Sequence, residues 1–292
     1  MNYGNPKMKI NEKFKIIRSQ RKLSLKSLSN IAGSITSISD FENGKSNLNN
    51  DVLLKLLGYM IVELDEFFNK DEIINKDFWR YINIINQAIK DNNLAKLYKC
   101  EKQLKELYLS TNFYVYHISS LLLHISIYKL KKEVDKINPR LIKELNNYFF
   151  SLEYWSNIDV VFLSICYDVL PTNSIINYAN QILEITPINI NNKLDAIKVN
   201  SLINIISNLI KQNKAKVTGK LIKELSTRNI NENLIYLKIR FIFYQNVYNY
   251  LWSDNKKLAL LKHQELVNVY KIIFNEEKSK FLNNLFDEYT NL

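Results

Sequence analysis

A chain of 292 residues, 47% hydrophobic and 24% charged, is long enough for more than one buried core and too apolar to be disordered. Its net charge of +11 and pI near 9.3 favour a polyanionic partner. Cys100 and Cys166 lack the spacing of a disulfide framework or a zinc site, and no apolar run is long enough to span a bilayer, so a soluble cytoplasmic protein with no membrane partner is expected.

Charge is concentrated at the start, where Lys7, Lys9, Lys13, Lys15, Arg18, Arg21, Lys22 and Lys26 are opposed only by Glu12. The helical period predicts a first helix from about Asn11 to Lys22, with Phe14 and Ile17 inward and Lys15, Arg18 and Lys22 projecting. Ser24 reads as the N-cap of a short second helix carrying Leu25, Leu28 and Ile31 on its inner side. Ala32-Gly33 supplies a turn, and Ser34 caps a third helix. There Ile38 and Phe41 point inward, while Ile35, Thr36, Ser37 and Asp40 remain outside. Gly44 marks its end, since glycine takes the left-handed conformation without steric penalty. A fourth helix over 50–60 turns Leu53, Leu56 and Leu57 inward, and Leu64, Phe67 and Phe68 close the unit from a short fifth helix.

Such a segment has the two parts that DNA recognition requires. Lys15, Arg18, Arg21 and the amides opening the second helix at Ser24 can hold phosphates, which positions a protein without specifying sequence. Ile35 can touch a thymine methyl, Thr36 and Ser37 can bond several base edges, and Asp40 can accept from cytosine N4. Asp40 is equally readable as a surface charge or as half of an internal ion pair.

The run Phe14, Lys15, Arg18, Arg21, Ser24, Leu25, Ser27, Leu28, Ser34, Ile38, Ser39, Phe41, Glu42, Gly44, Ser46, followed by Leu64-Asp65-Glu66-Phe67, resembles the N-terminal domain of the Rgg/GadR/MutR transcriptional regulators. More widely it resembles Cro and repressor-type helix-turn-helix domains. In that family the positions of Asp40 and Asn43 are commonly arginine, so the resemblance implies a reader lacking two DNA-facing cations. Trp155 and Asp159 also resemble a tryptophan and acidic pair of the family's C-terminal region.

After a charged connector over 69–76, the chain reads as successive amphipathic helices. Starts are expected at Asp77, Asn93, Thr111, Asn138 before Pro139, Thr172, Asn191, Asn231, Asp254 and Asn275. The expected architecture is all-α. A five-helix helix-turn-helix domain over 1–70 precedes a tetratricopeptide-like α-solenoid over 71–292, its repeats too degenerate to show a consensus. Stacked helical pairs suit an extended peptide, and the resemblance implies a receptor for a short signalling peptide. From the residues themselves the candidates are Tyr236, Arg240 and Tyr244 on one helix and Asn204 and Asn208 on another. Arg240 can hold a carboxylate, and asparagine can pair with peptide amides. Tyrosine at helical spacing is otherwise a core residue whose hydroxyl reaches water.

Apolar stripes with Leu258, Leu261, Leu266, Val269, Ile272 and Ile273 fit either the end cap of a solenoid or a dimer interface, and two-fold DNA sites favour a homodimer. No catalytic constellation is visible: His117, His124 and His263 have no accompanying nucleophile, and Gly219 is the one glycine beyond Gly58. The expected function is therefore sequence-specific DNA binding under control of a peptide, without enzyme activity or cofactor. A regulator without a peptide, and a helical adaptor with a vestigial helix-turn-helix, stand as alternatives.

Overall fold

The computed structural model describes residues 8–68, 76–184, 193–228, 230 and 232–291, and among them regular structure is helical with no strand. Contacts divide the chain into two compact units, one up to Ile84 and the other from Ile85, so the division falls inside the helix Lys76–Lys90. The domain boundary expected at 70/71 lies outside the described residues, as do the helix starts expected at Asn191 and Asn231.

The first unit contains α1 (Ile10–Gln20), α2 (Leu25–Ser29), α3 (Ile35–Glu42), α4 (Asn50–Tyr59) and α5 (Leu64–Phe67). Local chemistry sets their starts: Ser24 Oγ accepts from Ser27 N at 3.0 Å, Ser34 Oγ from Ser37 N at 3.0 Å, and Asn49 Oδ1 from Asp51 N at 2.8 Å. Each satisfies an amide that the first helical turn leaves without an intrahelical partner. At the other end of α3, Gly44 has φ +70, a value that favours glycine.

Phe14 lies at the centre of this core, edge-on to Phe41 at 5.4 Å and to Phe67 at 6.4 Å. Leu28, Ile38, Leu56, Leu57 and Met60 surround it, each almost wholly buried. Burial on this scale contributes roughly 1.5–3 kcal/mol per large side chain, which fixes α3 from behind. Two expectations fail here. Leu64 is 48% exposed because Phe67, at the end of the same short helix, and Phe68 just after it, packed edge-on at 4.9 Å, fill the seam. Ile31 is exposed because α2 ends at Ser29, so the helical register no longer carries Ile31 inward.

Helix α6 (Lys76–Lys90) crosses the division. The second unit continues with α7 (Leu94–Thr111), α8 (Tyr114–Leu130), α9 (Pro139–Phe150), α10 (Asn157–Cys166), α11 (Thr172–Glu184), α12 (Lys193–Lys211), α13 (Ala215–Ser226), α14 (Ile235–Trp252), α15 (Lys256–Ile273) and α16 (Glu276–Thr290). Neighbours in sequence pack as pairs, and alternate helices also touch: α8 on α10, α10 on α12, α12 on α14, α14 on α16. In the same way α9 meets α11, and α11 meets α13. This two-row alternation is the packing of an α-solenoid.

Asparagine does much of the punctuation. Asn93, Asn138, Asn255 and Asn275 cap helix starts, while Asn92, Asn112, Asn213 and Asn291 take positive φ where helices end. Asn tolerates that conformation better than other non-glycine residues, which explains why the unit manages with so little glycine. Thr111 ends a helix instead of starting one, because Asn112 reverses the chain there. Helices beginning after Ser156 and Lys214 were not anticipated, and the start expected at Asp254 falls one residue later, at Asn255.

Candidate functional sites

Helix α3 turns Ile38 and Phe41 into the core, and the helical period then places Thr36, Ser39, Asp40 and Asn43 along its outer side with Ile35 at the edge. Ile35 is 47% exposed and Thr36 is also exposed. Among the described residues the Asp40 carboxylate has no ion-pair partner, and its backbone carbonyl accepts from Lys45 N at 2.8 Å. Ser37 differs from expectation, since its hydroxyl donates to Ser34 O at 2.9 Å and accepts from Ser34 N at 2.9 Å. It closes the capping box, and its proton is already engaged. Ser39 was missed as an outer residue, although its spacing of four from Ile35 pointed to it; Asn43, whose position the family resemblance makes DNA-facing, reaches Ser39 Oγ through Nδ2 at 3.5 Å.

Arg18 requires a correction. Its side chain turns back across α3: Nε and Nη2 donate to the Glu42 carboxylate at 2.5 and 2.8 Å, and Nη1 donates to Leu23 O at 2.7 Å. The Glu42 side chain is 3% exposed, and its bond holds the guanidinium pKa above the ordinary value despite burial. A bidentate pair at this depth ties α1 to α3 and removes Arg18 from the available cations. Lys15 and Arg21 remain exposed; Lys15 Nζ reaches Asn43 Oδ1 at 3.5 Å and Arg21 Nη2 donates to Ile61 O at 3.1 Å. Ser24 is exposed, with its hydroxyl oxygen serving the α2 cap.

In the second unit, α12 and α14 bring several expected residues together. Arg240 on α14 donates through Nη1 to Asn200 Oδ1 at 2.5 Å and through Nη2 to Asn204 Oδ1 at 2.9 Å, both on α12. Its guanidinium also lies 5.9 Å from the Tyr236 ring centre, and Tyr236 remains 51% exposed. Asn200 was missed, though it stands four residues before Asn204 and eight before Asn208 on one helical face. The Asn208 Nδ2 is buried with no hydrogen-bond partner.

Tyr244 is only 8% exposed and packs edge-on to Tyr289 at 5.7 Å, whose hydroxyl bonds Ser207 at 2.6 Å. Tyr244 therefore belongs to the wall behind the cluster more than to its open side. On α8, Lys129 pairs with Asp168 at 2.7 Å and lies 5.8 Å from the Tyr167 ring. Burial pushes the Tyr167 phenol up to about 12, helped by Asp168 and Tyr244 and opposed by Arg240. Burial also raises Tyr289 and Tyr270. Tyr167 and Tyr270 stay neutral at physiological pH and so add no negative charge beside Arg240.

Histidines 117 and 124 pair with Glu144 at 2.6 Å and with Glu101 at 2.9 Å, tying α8 to its neighbours. Among the described residues no group of His, Cys, Asp and Glu side chains is placed to hold a metal ion, and no helix is long and apolar enough to cross a membrane.

Comparison with known proteins follows the same two-part division. Residues 14–67 match the helix-turn-helix family, and residues 102–284 match the C-terminal domain of the HTH-type transcriptional regulator Rgg. The SHP pheromone receptor Rgg2 of Streptococcus dysgalactiae has a similar fold, with a TM-score of 0.79 at 17% identity over 96% of this chain and 99% of that one. The PrgX/cCF10 complex matches with a TM-score of 0.72 at 16% identity, over 98% and 93% of the two chains. A bacterial peptide pheromone/receptor complex gives 0.70 at 17% identity, over 96% and 97%. The Rgg match spans more than half of the chain and coincides with the two-row helical unit, while the helix-turn-helix match coincides with α1 to α5. The chain belongs to the Rgg family of helix-turn-helix transcriptional regulators.

Proposed function

We propose that residues 1–70 bind double-stranded DNA, that residues 71–292 sense a short peptide and join two copies into a homodimer, and that the protein acts this way in the cytoplasm without a cofactor. The observation that carries the DNA reading is the outer side of α3, where Ile35 and Thr36 are exposed and Asp40 half-buried on a helix anchored by Ile38 and Phe41. Lys15 and Arg21, with the start of α2 at Ser24, supply phosphate contacts. Arg18 is given no such role, because its charge already serves Glu42.

The peptide reading is supported by the strip of Asn204, Asn208, Tyr236 and Arg240 across α12 and α14, with Tyr244 behind it. Rgg2 and PrgX, which share the fold, are a pheromone receptor and a protein captured with cCF10.

Binding of the full chain to promoter fragments, titrated with salt, tests the DNA half. Thr36→Ala is expected to change the ratio of affinities among sites by about 1–3 kcal/mol, whereas Lys15→Ala lowers all of them alike and reduces the salt slope by about 1. No affinity for any fragment at low salt would end this reading.

A further inference from the structure

We infer that the peptide ligand presents a carboxylate to Arg240, and that its arrival takes the guanidinium from Asn200 and Asn204, so that one exchange of partners both binds the ligand and alters the tie between α12 and α14. This deepens the peptide reading and rests on it.

Arg240 is half-buried, yet among the described residues no carboxylate lies within ion-pair distance of it, and its two short bonds go to neutral amide oxygens. A guanidinium carries five donors in a planar fork that matches a carboxylate with two parallel bonds, and charge-assisted pairs are about twice as strong as neutral ones. Arg18 in the same chain has such a partner in Glu42; among the described residues Arg240 has none. Asp168, which shares the neighbouring Tyr167 with Arg240, is already taken by Lys129. An anionic ligand group therefore gains more from Arg240 than the asparagines lose.

The displaced groups suit the rest of a peptide. Asn200 and Asn204 lie one helical turn apart, about 5.4–6 Å along α12, close to the roughly 6.7 Å between alternate residues of an extended strand. Their freed amides can accept from and donate to successive peptide groups. Asn208, another turn along, has a buried Nδ2 without a partner and extends the same ladder. Tyr236, exposed on the other side of Arg240, offers a ring face to the flanking ligand residue.

The acidic group can be a peptide C-terminus or an Asp or Glu side chain, and the test separates them. The full-length protein is incubated with an equimolar library of synthetic apolar octapeptides in three forms: free C-terminal acid, C-terminal amide, and C-terminal amide with one internal Asp or Glu. Retained peptides are identified by mass spectrometry after gel filtration, and the best is titrated by fluorescence anisotropy. Forms carrying a carboxylate are expected to bind at least about tenfold more tightly than acid-free amides, and the better of the two acidic forms names the source. Arg240→Gln is expected to abolish that preference. Asn200→Asp, which supplies Arg240 with an internal counter-ion, is expected to weaken acidic peptides by a similar factor while keeping or raising the melting temperature. Equal binding of acid-free amides, or a preference that survives in both variants, overturns the exchange but leaves the peptide reading standing. Retention of no peptide in any form overturns both.

Discussion

At the residue scale, Arg18 shows why a helical wheel misreads some charges. The period places Arg18 beside Lys15 and Lys22, but it cannot say that Glu42, distant in sequence, lies within reach after folding. Removing one member of a bidentate, nearly dry pair leaves the other charge buried alone, so Glu42→Ala is expected to destabilise the first unit by about 3 kcal/mol. Urea unfolding of the purified chain measures this, and a change within about 0.5 kcal/mol would show the pair to be incidental. Ile61 offers a gain instead. It takes φ +52 while 81% exposed, a conformation that a β-branched residue adopts with strain. Its Arg21 contact is to the backbone carbonyl, which any side chain preserves. Ile61→Asn is therefore expected to raise stability by about 1 kcal/mol in the same assay.

At the element scale, much of the fold was readable because caps are short-range chemistry. Ser24, Ser34, Asn93, Asn138 and Asn275 each bond an amide two or three residues away, and a sequence displays that spacing directly. The start of α10 was legible in the same terms, as Ser156 and Asp159 form a capping box, but Asp159 had been read only beside Trp155. Asp159 in fact accepts three hydrogen bonds from two residues, from Ser156 N, Ser156 Oγ and Tyr148 OH. The candidate peptide strip was half legible: Arg240 and Asn204 stood out on separate helices, whereas their bond depends on α12 and α14 being neighbours, which no local pattern encodes.

The joint between α15 and α16 has its own test. His263 is 1% exposed, stacked on Phe286 at 3.8 Å, with Nε2 at 3.3 Å from Asn283 Oδ1 and Nδ1 without a partner. Burial lowers its pKa below the ordinary 6.5, against smaller opposing effects of Asn283 and Asp287. Between the native and unfolded values the unfolded chain binds the extra proton, so stability rises with pH in that window. The contribution is complete above pH 6.5 and is lost as pH falls toward the native pKa. His263→Gln is expected to remove this part of the slope when unfolding free energies are compared between pH 5 and 8. An unchanged slope would place the acid sensitivity elsewhere.

For the whole molecule, the proposed homodimer turns on one helix face. Leu258, Leu261, Val269, Ile272 and Ile273 recur at helical spacing along α15, and Ile272 is 85% exposed, while Ala259, His263 and Leu266 on another side of the helix pack within the unit. A solenoid end cap ordinarily presents a polar outer face, so a row of exposed apolar side chains at this end, interrupted by Glu265, favours a partner over solvent. A two-fold axis would set the stripe of one copy against the same stripe of the other, and two helix-turn-helix units would then meet the two halves of a symmetric DNA site. Because self-association couples the two DNA contacts, losing it costs far more affinity than one side chain can account for. Ile272→Asp is expected to convert a dimer to a monomer in sedimentation velocity and to lower affinity for a two-half-site operator by at least about 100-fold, while affinity for an isolated half-site stays within about twofold. A native chain that sediments as a monomer, or a variant that remains dimeric, would assign the stripe to the end of the solenoid alone.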